Sequence, residues 1–207
     1  MSAPVTAIVI LNLQPGTAIE QPLRDIFEVF SRQEGLQRIS WGRWEEAAEK
    51  VQLFIDWDNL ESHRKFEASG ADYQAVGAIL KPVLVAPPSM YHVHFSPHPP
   101  SAVLGAPIVE LATFYSVSAT FETDITKFLS VLEKAEGCVA TTHCFIDEDL
   151  AKEGGEEKGK AYLAAIGWSS VDAHEKAMTT KDVADSLHLA TGGASHVEIR
   201  HVKFQSL

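Results

Sequence analysis

The sequence repeats itself, and this duplication limits the folds open to the chain. Leu23, Ile26 and Phe30 have the spacing of a helix with one apolar stripe, and the pattern returns in residues 125–132 after a shift of 102 residues. Further on, residues 55–65 recur as 166–176 after a shift of 111, with Ile, Trp, His and Lys in the same places. The chain of 207 residues therefore reads as two copies of one unit.

Each copy predicts the same order of elements. In the first, strands are expected near 5–13, 37–45, 51–57 and 88–95, with helical regions near 20–32 and 59–80. In the second, strands are expected near 108–117, 138–146, 161–168 and 197–205, with helices near 122–134 and 170–189. This order is the split βαββαβ pattern of a ferredoxin-like unit. The predicted organisation is a first repeat over 1–96, an extended proline-rich linker over 97–107 and a second repeat over 108–207.

The apolar pattern of the strands predicts how the two copies associate. Residues 7–11 and 51–55 carry apolar side chains at consecutive positions, so both faces of the sheet need cover. Helices on one side cover a single face, and the matching face of the second copy is the simplest cover for the other. The predicted fold class is α+β, with tandem ferredoxin-like βαββαβ repeats forming a pseudo-dimeric α/β barrel.

Charge and hydropathy exclude several classes of partner. Lys and Arg total 17 against 28 Asp and Glu, a formal charge of −11, and such a field repels nucleic acid and anionic lipid. No apolar run approaches the roughly 20 residues of a membrane span, and the N-terminus lacks the pattern of a secretory signal, so a cytoplasmic location is expected. Zinc-type spacings and phosphate-binding glycine loops are missing from the sequence, so neither a metal nor a cofactor is predicted.

A short motif suggests a family. Trp57 ends a strand and is followed by residues 58–63 (Asp-Asn-Leu-Glu-Ser-His), then by Phe66, Ser69 and Tyr73, and residues 92–95 (His-Val-His-Phe) close the copy. This motif resembles the antibiotic-biosynthesis-monooxygenase domain family of the dimeric α/β-barrel superfamily, and the second copy repeats it more loosely.

The resemblance implies a range of activities. The superfamily includes cofactor-free monooxygenases, cyclases and lyases of secondary metabolism, together with haem-handling enzymes and stress-induced proteins. Their ligands lie between the sheet and its helices, or within the barrel. The haem-degrading members use an Asn, a Trp and a helical His; Asn12 and Trp57 are present here, but the expected His is Glu67.

Histidines near the end of each copy are the first candidates for chemistry. His92 and His94 share one face of their strand, as do His201 and Lys203 in the second copy, so these residues are predicted to line a cavity. Imidazole titrates near neutrality and can move protons. The alternative is that they lie at a wet rim or bond to the backbone. His63 and His174 fall in the first turns of helices, where capping or packing is expected before ligand contact.

A second candidate wall lies on the strands near 37–45 and 138–146. Trp41 and Arg43 in the first copy, with His143 and Phe145 in the second, would supply aromatic surface and polar groups if this face lines the cavity. The alternative for Trp41 is simple core filling. Tyr73 is a further, weakly supported binding candidate.

Glu110 is the candidate base. It lies within the apolar run 108–115, and a buried carboxylate must be paired or have a raised pKa. With a shift of 102 it aligns with Ile8, and Asn12 on that face is a candidate hydrogen-bond anchor. The alternative is a carboxylate in solvent or against an Arg.

These observations predict a cofactor-independent enzyme of the monooxygenase, cyclase or lyase type. Its ligand would be a hydrophobic, aromatic or polyketide-like small molecule, with His92, His143 or Glu110 moving a proton. Two alternatives stay open, a non-catalytic ligand-binding or stress-related barrel protein and a haem-binding protein. The resemblance also allows a homodimer.

Overall fold

The computed structural model describes residues 3–207, and these divide into two compact units. Unit 1 runs to His94 and also includes Gln205–Leu207 at the end of the chain. Unit 2 is Phe95–Phe204. Among the described residues, every helix is too short or too polar to cross a lipid bilayer.

The elements of unit 1 follow the predicted order. They are β1 (Val5–Asn12), α1 (Glu20–Phe30), β2 (Leu36–Arg43), β3 (Lys50–Trp57), α2 (Leu60–Glu67), α3 (Ala71–Leu80) and β4 (Ser89–Val93). Helix α1 forms because its apolar residues recur at helical spacing, and Leu23, Ile26 and Phe30 are buried. Helix α2 starts at Asn59, whose side chain accepts a hydrogen bond from the backbone N–H of Ser62.

Unit 2 repeats this order after a short helix. It contains α4 (Ser101–Leu104), β5 (Ile108–Tyr115), α5 (Phe121–Leu132), β6 (Cys138–Phe145), β7 (Ala161–Trp168), α6 (Val171–Met178), α7 (Lys181–Thr191) and β8 (His196–Val202). Ser170 caps α6 as Asn59 caps α2, because its hydroxyl accepts from the N–H of Ala173. The last strand, β9 (Gln205–Ser206), belongs to unit 1.

Each unit is an antiparallel sheet with helices packed on one face. The strand order is β4-β1-β3-β2-β9 in unit 1 and β6-β7-β5-β8 in unit 2, so the central strands correspond. In unit 1 the apolar core joins Ala7, Leu11 and Ile55 of the sheet to helix residues such as Ile26 and Phe66. The predicted α+β class with tandem ferredoxin-like repeats is confirmed.

The other face of β1 and β3 is buried as well. Ile8 and Phe54 are completely buried there, and Thr6 donates a hydrogen bond to the buried Asp56 at 2.6 Å. The consecutive apolar residues of these strands predicted burial on both faces. The closure of the two repeats into one barrel stays a prediction.

Two local expectations were wrong. The helix predicted over 170–189 is two helices, because residues 179–180 separate α6 from α7. The helical region predicted over 59–80 also contains two helices, which meet at Gly70, whose φ of +67° favours glycine. The proline-rich segment is not extended throughout, because it contains α4, whose Val103 and Leu104 are buried.

The shift of 102 is also wrong for the first strand. Val5 pairs with Trp57 and Ile108 pairs with Trp168, so β1 and β5 correspond after a shift of 103. The counterpart of Glu110 is therefore Ala7, not Ile8. Successive side chains of a strand point to opposite faces of the sheet. With the corrected shift of 103, Glu110 therefore lies on the helix-covered face, and not on the opposite face that the shift of 102 predicted.

Candidate functional site

A large cavity lies between the sheet and the helices of unit 1. Its volume is about 640 Å³, within the usual range of small-molecule sites. Val9, Leu11, Leu53 and Ile55 form its floor on the sheet. The helices contribute Ile26, Phe30, His63, Phe66, Val76 and Leu80. The lining is thus mainly apolar, with the imidazole of His63 set into it.

The mouth of this cavity is an apolar surface. Tyr73, Val85 and Met90 all line the cavity and are 47 %, 63 % and 38 % exposed. Tyr73 also packs edge-on against Phe66, with ring centroids 5.6 Å apart. Apolar side chains that are left exposed around an opening mark a binding site more often than a bare surface. The predicted binding candidate Tyr73 therefore lies at the mouth of the cavity, and its binding role stays a prediction.

His63, which lines the cavity, is paired with a second histidine, His92, which was predicted to line a cavity but does not line this one. The Nδ1 atom of His63 lies 2.9 Å from the Nε2 atom of His92, so one ring donates and the other accepts. The ring of His63 also stacks on Trp57, with centroids 5.1 Å apart. We call Trp57, His63 and His92 the Trp–His–His cluster of unit 1. Its two imidazoles can pass a proton from the cavity wall to β4.

Unit 2 repeats this cluster. Nε2 of His201 lies 3.1 Å from Nδ1 of His174, whose ring packs against Trp168 at 5.2 Å. The sequence predicted His92 and His201 as site residues, and each is now seen bonded to a helical histidine. However, the cavity between sheet and helices in unit 2 has a volume of only about 60 Å³. That space holds a water molecule or two, not an aromatic ligand.

Glu110 completes the cluster of unit 2. The indole N–H of Trp168 donates to its Oε2 at 2.8 Å, and Nε2 of His174 lies 3.3 Å from the same oxygen. The carboxylate is buried and paired, which is one of the two environments expected for it. The other expected environment, in solvent or against an Arg, was wrong. Ligand-type atoms of Glu110, His174 and His201 lie within 4.8 Å of one another, a donor set that suits a divalent metal. The hydrogen bonds that join them already satisfy these groups.

The cluster of unit 1 lacks such a carboxylate. Ala7 stands at the position of Glu110, pairing with Ile55 and His92 as Glu110 pairs with Ile166 and His201. As a result the completely buried indole N–H of Trp57 has no hydrogen-bond partner among residues 3–207. Leaving a buried donor unpaired costs about 1–3 kcal/mol.

Several other predicted residues do not line the cavity. His94 follows the end of β4, is exposed and contacts the carbonyl of Pro4 through Nδ1 at 2.7 Å, so it does not share the position of His92. Asn12 lies on the opposite face of β1 from Val9 and Leu11, and points away from the cavity. It therefore does not share a strand face with Ala7, the counterpart of Glu110.

The four residues predicted to form a second wall have other surroundings within their own units. Trp41 is buried in the core of unit 1, and the guanidinium of Arg43 donates to the backbone carbonyls of Ala48 and Thr17. His143 and Phe145 belong to unit 2 and pack there against another aromatic ring. None of the four residues lines the cavity of unit 1.

His143 has a well-defined surrounding in unit 2. Its Nδ1 atom lies 2.6 Å from the hydroxyl of Tyr162. Burial lowers the pKa of His143, although the charges of Glu122 and Glu133 oppose this shift. Burial likewise raises the pKa of Tyr162, so its hydroxyl stays protonated at neutral pH. The neutral imidazole is thus held against a neutral phenol on the helix-covered face of the sheet, where His143 is half-buried.

Sequence reasoning gave ligand contact only as the second role of the residue that faces the cavity. His63 was expected first to cap or pack a helix; Asn59 is the cap, and His63 both stacks on Trp57 and lines the cavity. The recurrence of His63 as His174, together with that of His92 as His201, was the available signal. Two residues that repeat together in both copies indicate a shared contact.

Comparisons with known proteins agree with this fold. No family model matches the sequence, and no curated protein matches it. Among solved structures, a candidate monooxygenase from Lactobacillus acidophilus covers 98 % of this chain and 94 % of its own, with a TM-score of 0.61 and 10 % identity. A candidate monooxygenase from Fusobacterium nucleatum covers 100 % and 93 %, with a TM-score of 0.64 and 8 % identity.

A third solved structure shares the fold over its full length. An anthrone oxidase-like protein covers 99 % of this chain and 94 % of its own, with a TM-score of 0.67 and 11 % identity. Because these matches span both repeats, they relate the whole tandem arrangement and not one half of it. The chain therefore shares the fold of these three structures over both of its tandem repeats.

Proposed function

We propose that unit 1 is a cofactor-independent oxygenase site for an apolar aromatic phenol or enol. The observation that carries the proposal is the cavity of about 640 Å³, whose apolar wall includes His63 backed by His92. An apolar pocket with one convergent titratable group binds an aromatic skeleton and deprotonates it at one place. The three solved structures of the same fold support the reaction class, since two are described as monooxygenases and one as anthrone oxidase-like.

The histidine pair supplies the proton acceptor. When His63 Nδ1–H donates to His92 Nε2, the Nε2 atom of His63 is unprotonated and can accept the phenolic proton. Transfer of the Nδ1 proton to His92 then spreads the new charge over both rings. His92 keeps its predicted catalytic part as the second member of this relay. The proposal gives no substrate contact to His143 or Glu110, which are held in unit 2.

The electrons come from the substrate. The phenolate attacks dioxygen through the ring carbon opposite its oxygen, a C–O bond forms, and the product is a hydroperoxide. The hydroperoxide then loses water and leaves a quinone-type carbonyl. One atom of dioxygen ends in the product and the other in water, so the reaction balances without an external reductant.

Oxidation of 1,8-dihydroxyanthrone tests the proposal. The purified protein should consume dioxygen with this compound faster than buffer does, and yield the matching quinone. His63→Gln removes the proton acceptor and should lower kcat by about 100-fold or more, the usual effect of losing a general base. The equivalent change in unit 2, His174→Gln, is the matched control and should leave kcat within about twofold.

Two results would contradict the proposal. A rate equal to that of buffer, with the compound nevertheless bound, would make unit 1 a carrier and not an enzyme. Equal losses in H63Q and H174Q would show that the histidine acts through stability alone.

A further inference from the structure

Three side chains of unit 2 bring metal-binding atoms together. Glu110 lies on β5, His174 on α6 and His201 on β8, and each offers one ligand atom within 4.8 Å of the other two. In the described part of the chain, this is the one group of three His, Cys, Asp or Glu side chains that converges so closely. The function proposed for unit 1 makes no use of these residues.

We propose that Glu110, His174 and His201 bind a divalent transition-metal ion of the Zn²⁺ type. Two imidazoles and one carboxylate are a ligand set that Zn²⁺ takes in proteins, and three protein ligands leave one coordination position for water. Imidazole nitrogen favours this class of ion over Mg²⁺ and Ca²⁺, which prefer oxygen. The site lies in unit 2 and does not depend on the proposed oxygenase.

The spacing of the three groups fits such an ion after a small movement. Nε2 of His174 lies 3.3 Å from Oε2 of Glu110, and Nδ1 of the same ring lies 3.1 Å from Nε2 of His201. His174 therefore faces its partners with different nitrogens, and the rings have to turn for one ion to contact all three side chains. Ligand atoms about 2.1 Å from a tetrahedral Zn²⁺ are roughly 3.4 Å apart, so atoms now within 4.8 Å have to close by at most about 1.5 Å.

The hydrogen bonds of the metal-free protein hold the ligands near one another. An ion would replace these bonds, because a neutral imidazole carries one proton and can keep it on the nitrogen that does not bind the metal. The indole N–H of Trp168 donates to Oε2 of Glu110 at 2.8 Å, and such an outer partner orients a metal-binding carboxylate. The second oxygen of Glu110 stays available to the ion.

Burial and charge favour a cation at this place. Glu110 is buried, and its partners are an indole and an imidazole, neither of which carries a permanent charge. Buried charges in proteins are usually paired or bound to a metal, so a divalent ion would compensate this carboxylate. The formal charge of the chain, −11, also attracts cations.

The surroundings leave room for the ion and its water. Glu110 lines the small cavity of unit 2, whose volume of about 60 Å³ suits the one or two water molecules that complete the coordination. His174 and His201 are partly exposed, which gives an ion a way in from solvent. The cavity that is too small for an aromatic ligand therefore has the size that a hydrated metal site needs.

Titration with metal ions tests the site. Calorimetry on the full-length protein, first freed of metal by a chelator, should show one Zn²⁺ bound per chain and no binding of Mg²⁺. Co²⁺ should give visible absorption bands more intense than those of the hydrated ion, because a site with few ligands lacks the octahedral symmetry of Co²⁺ in water. Both measurements are independent of any turnover.

Two matched variants locate the ion. Glu110→Gln keeps the shape of the side chain and an acceptor for the indole of Trp168, but removes the charge. It should weaken Zn²⁺ binding at least tenfold, since even the loss of an outer partner of a metal ligand costs about 10–100-fold. Glu136→Gln removes an exposed carboxylate of unit 2 and should leave Zn²⁺ affinity within twofold.

Unit 1 offers a test by gain of a site. Ala7 holds the place of Glu110, next to the imidazoles of His63 and His92. Ala7→Glu should therefore complete a second ligand set and raise the stoichiometry from one Zn²⁺ per chain to two. This variant keeps the proposal testable if E110Q does not fold.

The outcomes separate the metal site from the oxygenase. Equal Zn²⁺ affinity of the wild type and E110Q, equal losses in E110Q and E136Q, or a stoichiometry that stays at one in A7E would overturn the metal site. Zn²⁺ binding that E110Q weakens, in a protein that does not oxidise 1,8-dihydroxyanthrone, would support the site and overturn the oxygenase. Oxidation by a protein that binds no Zn²⁺ would do the reverse.

Discussion

The Trp–His–His cluster of unit 2 closes on a carboxylate of its own chain, whereas that of unit 1 lies beside an open cavity. Both clusters have the same histidine contact, 2.9 Å in unit 1 and 3.1 Å in unit 2, and the same packing of Trp on His. The difference is Glu110 against Ala7, together with a cavity about ten times larger in unit 1. A duplicated chain can thus satisfy the buried indole donor in one copy and leave it unpaired in the other.

The packing around each cavity follows the same division. Phe114 of β5 occupies the place of Leu11 in β1, and α7 contributes Leu187 and Ala190 to the wall in unit 2. In unit 1 the corresponding helix, α3, contributes Gly77, which has no side chain to fill the space. The larger Phe114 and Leu187 therefore narrow unit 2 at these two places, although Ala112 and Ala164 are smaller than their counterparts Val9 and Leu53.

The largest effect on stability is expected from introducing a glutamate at one or the other of two adjacent positions in β1. Ile8→Glu would bury an unpaired charge on the face away from the helices, and should lower the free energy of unfolding by about 4 kcal/mol. Ala7→Glu would place the same group opposite Trp57 and His63, where donors exist, and should change stability by less than about 1 kcal/mol. Urea denaturation measures both.

The pair of variants tests the correspondence of Ala7 with Glu110. If A7E destabilised the protein as much as I8E, the cluster of unit 1 would not accept a carboxylate. The comparison between the two units would then fail at its central point.

The sequence alignment of the first strands of the two copies was wrong by one residue, and this error limited what the sequence could predict. The helix repeat gave a shift of 102, but the first strand follows a shift of 103, because Val5 and Leu23 are 18 residues apart whereas their counterparts Ile108 and Ile125 are 17 apart. An error of one residue does not change which elements are predicted or their order, so the fold was predictable. It does change the predicted sheet face of a side chain, and Glu110 was therefore grouped with Asn12 and not with the histidines.

The residues of the site could be predicted only in part. His92 and His201 were identified from their position in the closing strands, but their partners His63 and His174 lie 29 and 27 residues away, and only the folded sheet brings them together. Nothing in the composition of the two halves indicates that one cavity is open and the other filled. That difference depends on the packing of many side chains, which short motifs do not specify.

The next largest effect is expected on removal of Glu110. Glu110→Ala leaves the buried donors of Trp168 and His174 without their acceptor, and should lower the free energy of unfolding by about 3 kcal/mol. Glu136→Ala, which removes an exposed carboxylate of unit 2 paired with Lys176, is the control and should have little effect. Equal stability of the two variants in urea would mean that Glu110 does not hold the cluster of unit 2 together.

The smallest effect concerns a polar pair that unit 2 has and unit 1 lacks. His143 and Tyr162 occupy the places of Trp41 and Val51, so only unit 2 buries a titratable ring there. Because burial holds the pKa of His143 below its usual 6.5, the unfolded chain takes up this proton first as the pH falls. The resulting stability is present above pH 6.5 and is lost as the pH falls through and below that value.

Thermal unfolding between pH 8 and pH 5.5 measures this contribution of unit 2. His143→Gln should lose less stability than the wild type over that range, since Gln does not titrate. Tyr162→Phe keeps the imidazole and its buried surroundings, and should therefore keep the wild-type pH dependence even though it removes the contact at 2.6 Å. If Y162F flattened the curve as H143Q does, the hydrogen bond and not burial would set the titration of His143, and unit 2 would differ from unit 1 in a specific bond and not in the polarity of its core.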